Sequence, residues 1–533
     1  MKSLTLFLII ALFLSPLSFA LDDEHHHFDP NEKLGTVSFP TSCAPAVQKS
    51  FERGVALLHS FAYEEANNQF QEIAQADPRC AMAYWGRAMS LFHQLWSRPT
   101  DADLKQGTSL IQKGQSLKAK TQRERDYIGA LAVFYAPNAD YDQRLHVYAK
   151  AMARLYEKNP QDHEAAVFYA LSLLSSADGD EVENSRKAIP ILNNLFKIEP
   201  DHPGVAHYLI HACDKPQFAQ EGLAAARLYA GIAPSSAHAL HMPSHIFARL
   251  GLWQDDIQSN LAAIDAARKH SPNFEHMMHH RIHSLDFLEY AYLQIGDDAK
   301  AKAIVDEVAA IKPQDVEPEF RSYLNEMRAL FPAQYALETR QWKDALSFQP
   351  PSGIEPYAEA DAHWAQAVAA GHLHNAAAAK KAVDQFEAMV EATKKSDKAY
   401  VADGMKTDRD EAHAWLAFAE GKNDEALILL RSVADKQDAV GKKEVEIPAR
   451  EMLADMLLEL GRSKEALAEY EKSLHTDPNR FNGLYGAARA AELLHDQQKA
   501  AGYYAQLLKN CDNGSHSDRP ELTRAKEQMV TGN

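Results

Sequence analysis

Cysteine is scarce in this chain. Four occur in 533 residues, Cys43, Cys80, Cys213 and Cys511, and none forms a CxxC. A zinc ribbon and a thioredoxin-type redox site are thereby excluded. Familiar catalytic signatures are missing too: there is no G-x-S-x-G, no Walker A loop, no G-x-G-x-x-G and no H-E-x-x-H. The pair His163-Glu164 is followed by Ala-Ala-Val and lacks the second histidine of a zincin. Beyond the first residues no apolar run is long enough to cross a bilayer. Positive charge is in deficit, with 56 Lys and Arg against 74 Asp and Glu and a formal net charge of −18. Such a surface repels phosphate backbones and anionic lipid, so nucleic acid is not expected as a partner. What remains is a chain with 46% apolar and 24% charged residues, a balance ordinary for a folded protein. It is too long for one compact core and calls for several domains or an elongated repeat array.

The start of the chain reads as a secretory signal. Met1-Lys2 is a short basic region, Leu4 to Leu14 an apolar one, and Ser18-Phe19-Ala20 a small-x-small cleavage site. Cleavage after Ala20 predicts an extracytoplasmic product, periplasmic or secreted, without a lipid anchor. Export would let disulfides persist. His25-His26-His27 then belongs to an N-terminal extension, 21–45, as part of a mobile tail.

Histidine is plentiful, 25 in all, and part of it is ordered. Pro200, Pro234 and Pro272 are each followed by histidine at the seventh and eleventh residue, giving His207/His211, His241/His245 and His279/His283. A spacing of four puts both imidazoles of a pair on one helical face. The first two pairs lie 34 residues apart (207 to 241), and the third follows after 38 (241 to 279).

A second periodicity frames the first. Gly54, Ala66, Phe70 and Pro78 recur at the same offsets as Ala454, Ala466, Tyr470 and Pro478. Ala488, Ala500 and Tyr504 keep that register, as do Ala414, Ala426 and Leu430. Small residues at two fixed points let antiparallel helices approach, an aromatic fills the hole between them, and proline stops the second helix. These segments resemble the tetratricopeptide repeat (TPR) family, whose period is about 34 residues. LGTVSFPTSC (34–43), DPRCAMAYWG (77–86) and HALHMPSHIFARLGLW (238–253) further resemble exported bacterial proteins of that family. The resemblance implies an all-α fold, a right-handed α-solenoid of about nine or ten stacked helical pairs. It carries no activity with it. The expected division is 46–347 as an N-terminal superhelix, 348–408 as a linker and irregular repeat, 409–511 as C-terminal repeats and 512–533 as a tail. FQPPSGIEP (348–356) marks the break, and 394–408 reads as a long loop. Cys43 precedes the first repeat and Cys80 opens the second. First helices of adjacent repeats stack side by side, so a Cys43–Cys80 bridge is expected.

In TPR proteins the first helix of each pair lines the concave groove, which implies that the six doublet histidines face the concavity rather than the core. Asp214 and Asp286 follow His211 and His283 by three residues on the same face, while the middle repeat has Ala248 there. Each Asp can orient the nearer histidine or reach across to the next helix. Neighbouring helices pack about 8–10 Å apart, so imidazoles from two of them can converge on one ion. The expected site pairs His241 and His245 with a neighbouring doublet, extended by His238, His276 or His280. Imidazole suits copper, zinc, nickel and iron alike. Met242, Met277, Met278 and Cys213 tilt the choice toward copper. Pro243, between His241 and His245, is tolerated only if it falls in the first turn of its helix. The other histidines, His59, His93, His146, His163, His363 and His413, read as core or surface residues.

The sequence thus predicts an exported TPR binding or scaffold protein with a transition-metal site around 200–290. The alternatives are a metal-free groove that recognises a protein or peptide partner, and a metal-dependent enzyme.

Overall fold

The computed structural model describes residues 32–531, apart from 96, 177–180, 271–277, 444 and 516. The signal segment, His25–His27, Pro272, His276 and Met277 lie outside the described residues. Within them there is no strand, and the chain runs as 26 α-helices with short 3-10 turns between some of them. Counting Ala237–His241 and Pro243–Arg249 as one interrupted helix, the first 25 form twelve antiparallel pairs and Pro520–Thr531 closes the end. The protein is an all-α solenoid of TPR-like helix pairs. The pairs outnumber the expected nine or ten because the blurred stretch 100–200 holds regular ones, Asp101–Ser116 with Ala81–Met89 and Gln122–Phe134 with Tyr141–Lys158.

Sequence explains each unit locally. Thr100 and Thr121 form capping boxes with Asp103 and Glu124, and Asp140, Asp162 and Ser236 cap the helices that follow them. Between paired helices the chain passes through a left-handed residue, glycine at 251, 296, 421 and 461. At Phe61, Arg340, His374 and His495 a larger residue takes the same conformation. The small residues of the repeat act as predicted. Phe70 lies between Gly54 and Gly86, where an added Cβ would stand 2.8 Å and 2.5 Å from its ring. Tyr470 meets Gly486 in the same way. Phe348 to Glu355 separates the helices Trp342–Ser347 and Pro356–His372, and the 394–408 stretch contains a short 3-10 turn at Ala399–Val401.

Two long-range closures shape the surroundings of the histidines. The first helix, Gln48–His59, packs on Pro203–Cys213, which also contacts His163–Leu174. The LGTVSFPTSC segment seals this junction: Thr36 donates to the carbonyl of Asp201, and Phe39 packs on Phe51, Trp85 and Tyr127. Cys43 and Cys80 are disulfide-bonded, with Cα atoms 4.8 Å apart. At the other end the C-terminal repeats fold back on the middle ones. Trp253 donates to the carbonyl of Asn479, and Asn479 donates to that of Gly251. Buried Arg480 binds Glu338 and Glu451 at 2.8 Å and also donates to the Tyr290 hydroxyl. Residues 33–533 form one compact unit.

Candidate metal centre

The helices Pro203–Cys213, Ala237–Arg249 (interrupted at Met242) and Met278–Gln294 carry the site. Ser236 caps the second, its hydroxyl accepting from the Ala239 amide. The helix starts at Ala237 and renews itself at Pro243, which needs no amide donor in a first turn. Met242 donates to the carbonyl of His238 and accepts from the amide of His245, so the helical path survives the proline. His241 and His245 therefore stay on one face.

The structure gathers the histidines as two trios rather than three doublets. His207, His211 and His238 form one, and His241, His245 and His283 the other; in each, one ring nitrogen per residue lies within 4.8 Å of the others. The Nε2 atom of His207 is 3.1 Å from that of His211 and 3.0 Å from that of His238. Nε2 of His241 is 3.1 Å from Nε2 of His245. His238, expected only as an extension, is a full member. The third doublet splits, because Phe320 stacks on His279 at 3.9 Å and Glu317 engages its Nδ1, drawing it away from His283. His280 lies between His279 and His238, with ring centroids 4.1 Å and 5.6 Å away.

The expectation that the doublets face an open groove is corrected here. His207, His238, His241 and His245 are 0%, 3%, 2% and 8% exposed, while His211, His279 and His283 are partly accessible. The cause is the inward closure of the solenoid, which brings the first repeat onto the fifth. Phe61 packs on the rings of His207, His211 and His238, and Phe287 on those of His241, His245 and His283. Each trio thus has one phenylalanine wall.

Hydrogen bonds on the far side of the rings fix the tautomers. His207 Nδ1–H donates to the carbonyl of His59 at 2.6 Å. The Asn260 amide donates to both the backbone carbonyl and the carboxyl of Asp256, so its oxygen must face His241, whose Nδ1–H donates to it at 2.7 Å. Asp214 reaches across to the next helix and accepts from His245 Nδ1 at 2.9 Å, its other oxygen held by Arg249. In all three rings a proton sits on Nδ1, and Nε2 turns into the centre. Burial drives His207 down from 6.5 to about 3, despite the His59 carbonyl. Burial, then neighbouring histidines, also lowers His238 and His241 far below the ordinary range. His207, His238 and His241 are therefore uncharged at pH 7. Asp286 lies buried on the third helix, where its charge adds to burial in raising the Tyr323 phenol, and the Tyr323 hydroxyl stands 3.4 Å from His283 Nδ1. Cys213 is no ligand: burial pushes its thiol up to about 12, and it packs against Gly222. Met242 and Met278 belong to the apolar core.

A third cluster escaped the sequence reading. His59 Nε2 and His202 Nε2 each lie 2.9 Å from a different oxygen of Glu164. His202 Nδ1 accepts from the Val205 amide and caps its helix, so both nitrogens of that ring are committed. Burial would raise Glu164, but His202 and His59 hold it well below the usual carboxylate range. This cluster is a structural buttress, and through the His59 carbonyl it also anchors His207. The signal available for it was Gly204, where a Cβ would stand 2.5 Å from the His59 ring.

The centre adjoins a cavity of about 500 Å³. His211, Asp214 and Arg249 line one side, and Asp408, in the first turn of the Lys406–Ala419 helix, with Lys443 and Glu446 of the C-terminal repeats, the other. Burial and Glu446 push Asp408 up to about 7, against the pull of Lys443. The histidine groups could hold a metal ion, and the cavity gives one of them an approach from the polar side. Among the described residues no helix is long and apolar enough to cross a membrane.

No family model and no curated protein matches the sequence. Among solved structures, a human IFIT1 dimer with m7Gppp-AAAA is 11% identical, covering 80% of this chain and 90% of that one at a TM-score of 0.37. A structure of Naa15/Naa10 bound to HypK-THB is 15% identical, with 90% and 74% covered and a TM-score of 0.23. Likeness of this degree bears on neither ligand nor partner.

Proposed function

We propose that this protein is an exported, TPR-like metal-binding protein in which each histidine trio holds one first-row transition ion. The observation that carries this reading is the pair His241 and His245. Both rings have an Nδ1 proton committed outward, so their Nε2 atoms turn toward each other, 3.1 Å apart. Around a tetrahedral ion with metal–nitrogen bonds of about 2.0–2.1 Å, ligand nitrogens sit about 3.3 Å apart. His207 likewise turns its Nε2 toward those of His211 and His238, at 3.1 and 3.0 Å. Three protein ligands leave a fourth position for water or substrate, and copper, zinc, nickel and iron all suit imidazole. Export is supported by the amino-terminal signal pattern and by the disulfide.

The test is elemental analysis of untagged protein secreted natively, beside the double variant His241→Ala/His245→Ala. At least one ion per chain is expected, with fewer in the variant. A wild type that arrives empty and also fails to take up added copper, zinc, nickel or iron sinks the metal reading in favour of a metal-free scaffold. A second reading, a metal-dependent enzyme, is favoured by the polar cavity and by Asp408, a carboxyl poised near neutrality beside it. It predicts that the loaded protein hydrolyses nitrophenyl esters or phosphates and that chelation stops it. Equal rates with and without metal would remove that reading.

A further inference from the structure

Away from the histidines, an acidic stripe crosses the later repeats and ends at the polar cavity. Glu326 lies on the helix Arg321–Glu338, Asp361 on Pro356–His372, and Asp408 with Glu411 on Lys406–Ala419. These are the first helices of three successive pairs; the first packs on the second and the second on the third. Glu446 follows in the segment leading to Ala449–Glu459, and with Asp408 it lines the cavity. Burial lifts the Asp361 carboxyl, and the charges of Glu326, Asp408 and Glu446 lift it further, against Lys443. The carboxyls therefore share one space.

Positive charge in that space is short. Of the lysines and arginine lining the cavity, Lys215 pairs with Glu181 at 3.0 Å, Arg249 with Asp214 at 2.9 Å and Lys442 with Asp477 at 3.0 Å. Lys443 is left for the stripe. Burial would lower its ammonium, but Asp408, Glu446, Glu326 and Asp361 together hold it up. No hydrogen bond from the described residues reaches the carboxyls of Glu326, Asp361 or Asp408. Glu411 is fully buried; one of its oxygens accepts from the Trp364 indole at 2.8 Å, and the other takes no hydrogen bond. It stands one turn beyond Asp408 on the same helical face, and Glu446 and Asp408 add to burial in raising it. Buried acceptors without a donor are costly, so this space calls for a cationic donor.

A single metal ion is the poorer fit. Neighbouring helices lie about 8–10 Å apart. Among the described residues, every cluster with three ligand atoms drawn within 4.8 Å contains histidine. Amino groups strung along a flexible hydrocarbon chain can instead meet carboxyls one helix apart. Leu95, Leu174 and Val440 give such a chain an apolar lining. Lys443, an ammonium on a four-carbon stem, already places that chemistry among the same carboxyls. We propose that the cavity and its acidic stripe bind a linear di- or polyamine. One ammonium pairs with Asp408 and Glu446 at the cavity, and the next reaches Asp361 and Glu326. Metal at the histidine trios is not required for it.

The test is equilibrium dialysis of labelled spermidine against full-length protein that has been stripped with a chelator and dialysed free of it. One spermidine per chain is expected, bound more weakly as salt rises. Asp408→Asn/Glu446→Gln should weaken binding about ten- to a hundredfold. Glu64→Gln/Glu425→Gln removes the same charge from exposed positions and should leave binding unchanged. Lys443→Met removes the competing ammonium and should tighten binding severalfold, a gain that a damaged fold does not produce. Circular dichroism checks each variant. Equal weakening by both double variants would mean diffuse attraction to an acidic surface and overturn the proposal. So would unchanged or weaker binding in Lys443→Met, or no saturable binding of spermidine at all. Displacement of spermidine by equimolar calcium or magnesium would overturn it in favour of a metal-ion site. Binding of an oligolysine peptide without binding of spermidine would overturn it in favour of a peptide groove.

Discussion

Asp214 shows how a single side chain can serve the centre without touching it. One carboxylate oxygen accepts from His245 and the other is pinned by Arg249, which in turn donates to the carbonyl of Lys442. Replacing Asp214 with Asn keeps the shape but removes the charge that holds the Nδ1 proton of His245. Metal affinity measured by competition titration should fall about 10–100-fold, as for other partners that orient a ligating imidazole. An unchanged affinity would mean that Asp214 only docks Arg249. Buried neutral imidazoles also set a pH response. His207 takes up a proton near 6.5 when unfolded but only at about 3 when folded. Between those values the unfolded chain binds more protons, so folding stability of the metal-free protein should decline as pH falls through that window. Glu164 acts in the same direction, since its depressed carboxyl contributes stability that is present above the ordinary 4.5 and lost on acidification. Urea midpoints at pH 7, 5.5 and 4 would test this, and a flat profile would mean that the histidines reach solvent.

At the scale of helices, the repeat works by pairing a missing side chain with an aromatic one. Phe70 occupies the space left by Gly54 and Gly86. Gly86→Ala forces a methyl into that ring and should cost about 1–3 kcal/mol of stability by urea denaturation. A gain would show that the helix propensity of alanine outweighs the contact. This pattern was legible because it repeats. Ala454, Ala466 and Tyr470 copy its offsets four hundred residues later, and the same helix pair results. The interrupted helix at Pro243 was less legible. Whether His241 stayed helical depended on the Ser236 cap and on where the preceding turn ended, and neither follows from proline alone.

For the molecule as a whole, stability and access both depend on the C-terminal repeats folding back. Arg480 is 1% exposed and joins Glu338 and Glu451, which come from separate repeats. Removing it strands two buried carboxylates, so Arg480→Met should cost about 3–5 kcal/mol. Because the cavity wall formed by Lys443 and Glu446 belongs to those repeats, the loosened variant should also exchange bound metal with a chelator faster than wild type. Loss of stability with unchanged exchange would separate the fold-back from access to the centre.

The sequence by itself determined the helical pairs, their small-residue and aromatic register, and the helix faces carrying His207/His211 and His241/His245, because these follow from spacings of three, four and 34 residues along one chain. Asp214 was legible for the same reason, as the next residue on that face. Tertiary structure alone decided which histidines meet. His238 enters a trio and His279 leaves one because ring positions across helices depend on crossing geometry and on what stacks nearby, here Phe320. It also decided that the histidines are enclosed, since the curvature that brings His59 onto His207 accumulates over four repeats and is encoded in no single one. His59, Glu164 and His202 were not read as a cluster for that reason: they are 105 and 38 residues apart, and only the closed superhelix puts them within a hydrogen bond of each other.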